Sequence, residues 1–249
     1  MFDAGCAIGD TPKPDSFSTV PSKFGGIQRH SRNIRPEPGA PTNRKPVGGL
    51  PKRCFDLIVS LISILCLAPM LILVAAIIRY CDGGPVLFRH RRLGYNAVEF
   101  DCFKFRTMVS NSDEVLREHL AKDYAATCEW KLSHKLKNDP RVTTLGGILR
   151  KTSLDELPQL FNIIKGEMSF VGPRPIVAAE IPKYGTAIAH YYHARPGLTG
   201  IWQISGRNDV SYETRVTFDR EYVARWRFAN DLKILVKTAR VVLRSHGCY

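Results

Sequence analysis

The chain has 249 residues, with 36 Lys and Arg against 23 Asp and Glu, for a formal charge of +13. That length suits one domain with appendages, and that charge points to an anionic partner: nucleic acid, a membrane surface or a phosphorylated substrate. Seven cysteines with no CxxC pair argue against a disulfide framework or a zinc site and suit reduced thiols.

Residues 1–50 are rich in Pro, Gly, Ser and Thr, carry scattered basic residues and lack hydrophobic periodicity. They read as a disordered tail. The start has no apolar run of the signal-peptide kind. Residues 55–78, FDLIVSLISILCLAPMLILVAAII, are the membrane-length segment, charged only at Asp56. About 24 residues at ~1.5 Å each reach ~36 Å, enough to cross a hydrocarbon core. Pro69 lies just past the middle, where proline kinks a helix. Both flanks are basic: Lys52 and Arg53 before, then Arg79, Arg89, Arg91 and Arg92 after. The positive-inside rule would keep both ends in the cytoplasm. On these residues alone, a spanning helix and a broken helix that dips into one leaflet and returns stand about even.

A turn at 82–85 leads into a short strand at 86–88, followed by the basic cluster 89–92, suited to lipid headgroups. Residues 99–108 alternate in type. Phe103 and Phe105 fall on one strand face, Lys104 and Arg106 on the other. That second face is either solvated or a pair of cations aimed at phosphate. A helix is expected from Ser112 to Leu120, then an ambiguous stretch at 122–137 and a turn at 138–141.

Residues 151–175, KTSLDELPQLFNIIKGEMSFVGPRP, carry the densest signal. Leu154, Leu157, Leu160, Phe161 and Ile164 recur at helical spacing. Ser153 and Glu156 have the capping-box form, and Pro158 lies near the expected helix start. Lys165-Gly166 marks its end. Asp155 and Glu156 then sit in the first turn. Spacing alone favours simple capping. The sharper reading is two carboxylates that hold Mg²⁺ and attack a phosphoryl centre.

Gly172-Pro173-Arg174-Pro175 is a rigid turn presenting one guanidinium, followed by a helix near 177–184. His190 and His193 suit ordinary packing better than metal binding. Arg195 lies in a Pro/Gly loop, and Trp202 is an anchor for core, membrane or base. In 232–244 the apolar stripe of Leu232, Leu235, Val236, Ala239, Val242 and Leu243 faces either core or anionic lipid. No GxxxxGK[ST], GxGxxG or Gx[ST]xG pattern is present, so Walker-type hydrolysis, Rossmann cofactor binding and α/β-hydrolase chemistry lose support.

The ordered runs FKFRTM (103–108), NDPRVT (138–143), RKTSLDELPQ (150–159), GPRP (172–175) and RPGLTG (195–200), behind one membrane segment, resemble the bacterial sugar transferase family. These are monotopic polyprenyl-phosphate phosphoglycosyl transferases. The resemblance covers residues 51–249. It implies a mainly α fold with a few short strands: a single membrane-associated α/β domain with a re-entrant membrane helix broken at Pro69 and interfacial amphipathic helices. It implies transfer of a hexose 1-phosphate, galactose or glucose, from UDP-hexose to undecaprenyl phosphate with release of UMP. That is the first step of exopolysaccharide repeat-unit assembly, on the cytoplasmic face of the bacterial inner membrane. Asp155 becomes the expected nucleophile of a phospho-sugar intermediate, assisted by Glu156, with Mg²⁺ held by both. Lys104, Arg106, Arg174 and Arg195 become candidates to neutralise the diphosphate. Gly147 departs from the basic residue of many relatives, and Ala68 from a serine before the kink proline. The alternative is a catalytically inactive basic scaffold for polysaccharide enzymes. Nucleic-acid binding rests on charge alone and ranks last. Homo-oligomerisation stays open.

Overall fold

The computed structural model describes residues 45–133, 135–205 and 210–244. Residues 1–44 of the expected 1–50 tail lie outside them; its last residues are ordered, with the Val47 N–H donating to the His193 carbonyl at 2.9 Å and the first helix starting at Gly49. The apolar segment forms α1 (Gly49–Asp82), longer at both ends than its hydropathy suggests. Next come β1 (Leu87–Leu93) and β2 (Glu99–Phe105), then α2 (Ser112–Lys122), α3 (Tyr124–Ser133), α4 (Thr144–Thr152) and α5 (Gln159–Lys165). Beyond them lie β3 (Ser169–Val171), the short α6 (Ile181–Tyr184) and α7 (Ile188–Tyr191), β4 (Gly197–Thr199), α8 (Ile201–Ile204), α9 (Tyr212–Ala224) and α10 (Phe228–Arg244). The chain is thus mainly helical with a few short strands.

Pro69 lies inside α1, and the helical run continues on both sides of it. The expected break is therefore not an interruption. Proline removes one N–H, so the Leu65 carbonyl loses its helical partner while the flanking turns still close. One stripe of α1 is buried: Lys52, Asp56 and Ser60, then Leu71, Val74 and Ile78. Ile58, Leu61, Ile62, Leu65, Ile72 and Leu73 on the other side are exposed. Only 17% of its most apolar window is buried, which sets α1 apart from the core helix of a soluble protein.

Both ends of α1 are held by the same domain. At the start, Lys52 pairs with buried Asp231 of α10 at 2.5 Å. Asp231 also accepts from Tyr222 (2.9 Å) and Trp226 (3.0 Å). One turn later, Asp56 accepts the Phe170 N–H at 3.1 Å. A lone buried ion pair is costly, and these added donors offset the desolvation. At the far end, Ile78 packs with Phe105 and Leu149, and Arg106 donates to the Gly83 carbonyl at 3.4 Å.

β1 and β2 pair antiparallel with Arg89 opposite Phe103 and His90 opposite Cys102. The basic cluster, expected after the strand, lies within it. Alternation splits it, leaving Arg89 and Arg91 exposed and His90 and Arg92 half-buried. In α10 the expected apolar stripe is divided: Ile234 is buried, while Phe228, Leu232 and Val236 form an exposed ridge at four-residue spacing.

β3 and β4 pair in parallel, Ser169 with Gly197 and Val171 with Thr199. Glycine permits this closeness. A Cβ on Gly197 would lie 2.1 Å from the Gly172 nitrogen, and one on Gly200 would lie 2.4 Å from the Gly172 carbonyl oxygen. The GPRP and RPGLTG runs are thus two halves of one backbone contact.

Gly146 is equally constrained, since its Cβ would fall 2.1 Å from the Thr107 carbonyl oxygen. Backbone cannot swing aside, so Gly146→Ala should cost about 1–3 kcal/mol by overpacking. Its neighbour Gly147 meets nothing within 4 Å, and Gly147→Ala should instead gain about 1 kcal/mol of helix propensity. Thermal melts of the two variants should move in opposite directions.

Candidate active site

The Asp155-Glu156 pair sits in a connector between two helices. Thr143 caps α4, its hydroxyl accepting the Gly146 N–H at 2.9 Å. Ser153 ends that helix in the left-handed region, φ 58°, and makes no side-chain cap, which corrects the expected capping box. A helix started at Leu154 would place Pro158 against the Leu154 carbonyl with no N–H to offer. The chain instead makes a tight 3₁₀ turn over Leu154–Glu156, and α5 begins after Pro158. The expected end at Lys165 is observed, with Gly166 at φ 86°.

Lys104 of β2 reaches both carboxylates. Its Nζ donates to Glu156 Oε1 at 2.5 Å and stands 3.9 Å from Asp155 Oδ2. Asp155 is buried at 9% exposure, and burial pushes its carboxyl up to about 6. Lys104 is the strongest opposing pull; Glu156 adds to the rise, and Arg150 lowers it. Arg150 is tied down by donating Nε to the Thr107 hydroxyl at 2.9 Å.

Asn162 holds this geometry together. Fully buried, it accepts the Phe103 N–H at 3.0 Å and donates to the Asp101 carbonyl at 2.7 Å and to Glu167 at 2.6 Å. Both sides of its amide grip β2 around Lys104, so α5 and its connector are held in register with the strand.

The remaining candidates are dispersed. Arg106 lies beyond the strand, buried, donating to Gly83 and to the Ser110 hydroxyl at 3.3 Å rather than to the carboxylates. Arg195 is at the far end of α5, where it donates to the Gly166 carbonyl at 2.8 Å. Arg53 joins it there on the Ile163 and Ile164 carbonyls. Unsatisfied carbonyls at a helix C-terminus attract guanidinium groups, so both arginines cap α5. Arg174 lies over the Trp202 ring, 5.3 Å from its centroid. Burial lowers the pKa of His90 in β1, and the charges of Arg92, Lys104 and Arg174 lower it further.

Sequence reasoning missed Arg150 and Asn162 as members of this site. Asn162, a lone amide in the apolar run LFNII, was the available signal. The acid pair fits Mg²⁺ in kind: hard oxygen donors on adjacent residues, with Lys104 the sole side chain within ion-pair reach of Asp155 among the described residues. No group of three acidic, His or Cys ligands is assembled among those residues, so substrate oxygens would have to complete the shell.

The family model for bacterial sugar transferases matches residues 47–245. The chain belongs to this family. Among its relatives is the exopolysaccharide production protein ExoY of Sinorhizobium fredii, 51% identical over 82% of this chain and 91% of that protein. An undecaprenyl-phosphate galactose phosphotransferase of Salmonella typhimurium is 52% identical over 80% of this chain and 41% of its own length. The UDP-glucose:undecaprenyl-phosphate glucose-1-phosphate transferase of Xanthomonas campestris is 37% identical over the full chain and 47% of its own. The acid pair, Lys104 and Asn162 of this sugar transferase all fall within the matched region.

Proposed function

We propose that this transferase moves a hexose 1-phosphate, galactose or glucose, from UDP-hexose to undecaprenyl phosphate, releasing UMP, as the first step of exopolysaccharide repeat-unit assembly. The observation that carries the reading is a buried Asp155 carboxylate within 3.9 Å of Lys104. Asp155 attacks the sugar-bearing phosphorus, the bond to the UMP oxygen breaks, and UMP leaves with that electron pair. An oxygen of the lipid phosphate then displaces Asp155 and regenerates the carboxylate. Lys104 neutralises phosphate charge and holds Glu156 in place. Asp155 and Glu156 would hold Mg²⁺, which screens the negative charge of the diphosphate when bound.

Membrane placement follows the same reasoning. The helix is read as entering and leaving the bilayer on one side, taken as the cytoplasmic face; the bonds of Lys52 and of the Gly83 carbonyl, at opposite ends of α1, to one domain support that reading. The bend this requires is assigned to Pro69. Cys54 and Cys81 lie near the two ends and are exposed. Single-cysteine variants keeping either one should react with an impermeant maleimide in inverted vesicles and not in intact spheroplasts. A spanning helix would show one thiol on each side.

The activity itself is tested by incubating lipid-reconstituted protein with Mg²⁺ and a panel of UDP-hexoses without acceptor. A hexose-phosphate mass adduct on the peptide holding Asp155, with stoichiometric UMP, is expected. No UMP from any donor, even after undecaprenyl phosphate is added, would leave the inactive scaffold.

A further inference from the structure

The end of α5 gathers cations away from the acid pair. Lys165 Nζ stands 4.4 Å from the centroid of the Phe103 ring, and the Arg89 guanidinium stands 5.8 Å from the same centroid. Arg89 is opposite Phe103 in the β1–β2 pair, and Lys165 reaches the ring from α5. Both cations are exposed. Among the described residues, neither makes an ion pair with a carboxylate. The acids nearby are engaged elsewhere. Glu99 and Asp101 pair with Arg91 at 3.5 and 3.3 Å, and Glu167 accepts from Asn162 at 2.6 Å. Two like charges gathered on one ring repel each other, and the ring offsets that cost only in part. An anion held by both would relieve the repulsion.

Backbone contacts place this pair at the edge of the apolar surface. Arg53, near the start of α1, donates to the Ile163 and Ile164 carbonyls at 2.5 and 2.7 Å. Lys165 is the next residue, so it stands level with the start of α1. About one turn beyond Arg53, Leu57 and Ile58 are exposed, and the exposed apolar face continues through Leu61, Ile62 and Leu65. α5 and the connector before it run antiparallel to α1: their end meets Arg53, while Leu154 and Leu157 pack with Leu71 and Val74. Phe161, exposed and four residues before Lys165 on the same helix face, therefore lies further along α1. A ring that enters acyl chains with a lysine amine one turn nearer the interface is how amphipathic side chains settle at a bilayer edge.

We infer that Arg89, Phe103 and Lys165 form a binding site for the headgroup of an anionic phospholipid of the surrounding bilayer. The inference rests on the proposed placement of α1 in the membrane. An anionic phosphodiester headgroup brings net negative charge to the level where these cations stand. Its acyl chains then run along Phe161 and the exposed face of α1. A zwitterionic headgroup also carries a quaternary ammonium that the two cations repel, so the site selects by net charge. It is separate from the acid pair. Alternation along β2 puts the Lys104 amine, bonded to Glu156, on the strand face opposite Phe103. A lipid held at Phe103 leaves Asp155 open to substrate.

The test titrates full-length protein in detergent micelles with phosphatidylglycerol or phosphatidylcholine and counts bound lipid by native mass spectrometry. The first phosphatidylglycerol should bind at least about tenfold more tightly than phosphatidylcholine. Arg89→Gln/Lys165→Gln should weaken that first phosphatidylglycerol by about tenfold to thirtyfold, with phosphatidylcholine binding and melting temperature unchanged. Phe103→Leu keeps both cations without the ring that gathers them and should weaken it by several-fold. Lys122→Gln, on α2 where Lys122 pairs with Glu118, is the control and should change neither lipid. Equal binding of the two lipids by the wild type, or undiminished phosphatidylglycerol binding in the double variant, would overturn the site. Loss of UMP binding in the double variant with phosphatidylglycerol binding intact would assign the cations to a soluble phosphate and reject the lipid. Cysteine labelling that shows a spanning α1, with the lipid preference retained, would reject the re-entrant placement and keep the headgroup site.

Discussion

Asp155→Asn should lower hexose-phosphate transfer by at least about 10⁴-fold and abolish the covalent adduct, because the amide is near-isosteric and cannot attack phosphorus. The protein should still fold and insert, since the Asp155 ion pair with Lys104 is long, 3.9 Å, and Lys104 keeps its 2.5 Å bond to Glu156. Lys104→Met should cost less, about 10²–10³-fold, as expected when one charge-stabilising group is removed. In Mg²⁺-free protein, the Asp155 carboxyl followed by ¹³C NMR should titrate near 6. Lys104→Met should move that midpoint upward, because Lys104 is the largest influence holding it down. The raised value also fixes a sign. Asp155 favours the folded state below its unfolded pKa, and that contribution is lost as pH rises through about 6. The site thus keeps a destabilised carboxylate at neutral pH, the form a nucleophile needs.

Asn162→Leu should destabilise the domain by about 3–5 kcal/mol, the largest stability effect expected outside the apolar core. Leucine fills similar space but leaves the Phe103 N–H and the Asp101 carbonyl without their partner inside the protein. The same change should reduce turnover, since β2 carries Lys104 and Asn162 sets its register against the acid-bearing connector. Phe161→Ala, one residue away and 45% exposed, is the control and should change the melting temperature little. Denaturant or thermal melts of the two variants in the same detergent would check this. Equal effects would show that Asn162 acts only by filling space.

Much of the site was legible because its chemistry is contiguous. Asp155 and Glu156 are neighbours in sequence, and no fold is needed to see two adjacent carboxylates. Lys104 is about fifty residues away, yet strand alternation put it opposite Phe103 and Phe105 before its partner was known. Arg195 shows the limit. Its Pro/Gly loop marks it as accessible, but only the packing shows its guanidinium on the Gly166 carbonyl, the opposite end of α5 from the acids. Ser153 shows another. The capping-box pattern is local, and it was overridden by Pro158 five residues later and by the left-handed turn that closes α4.

By itself, then, the chain's sequence determined the elements whose cause is local. These are an apolar helix with proline inside, a strand bearing Lys104, an acid pair, a helix stop at Gly166 and loop glycines that suit tight backbone. Tertiary structure alone decided which cations meet which carboxylates. It also decided that Asn162 locks α5 to β2, that Lys52 and Gly83 tie both ends of α1 to one domain, and that Arg89 and Lys165 share Phe103. The physical reason is the range of the interactions. Propensity, capping and alternation act over a few residues. An ion pair or a buried amide acts over a few ångströms, between residues whose separation along the chain says nothing of their distance.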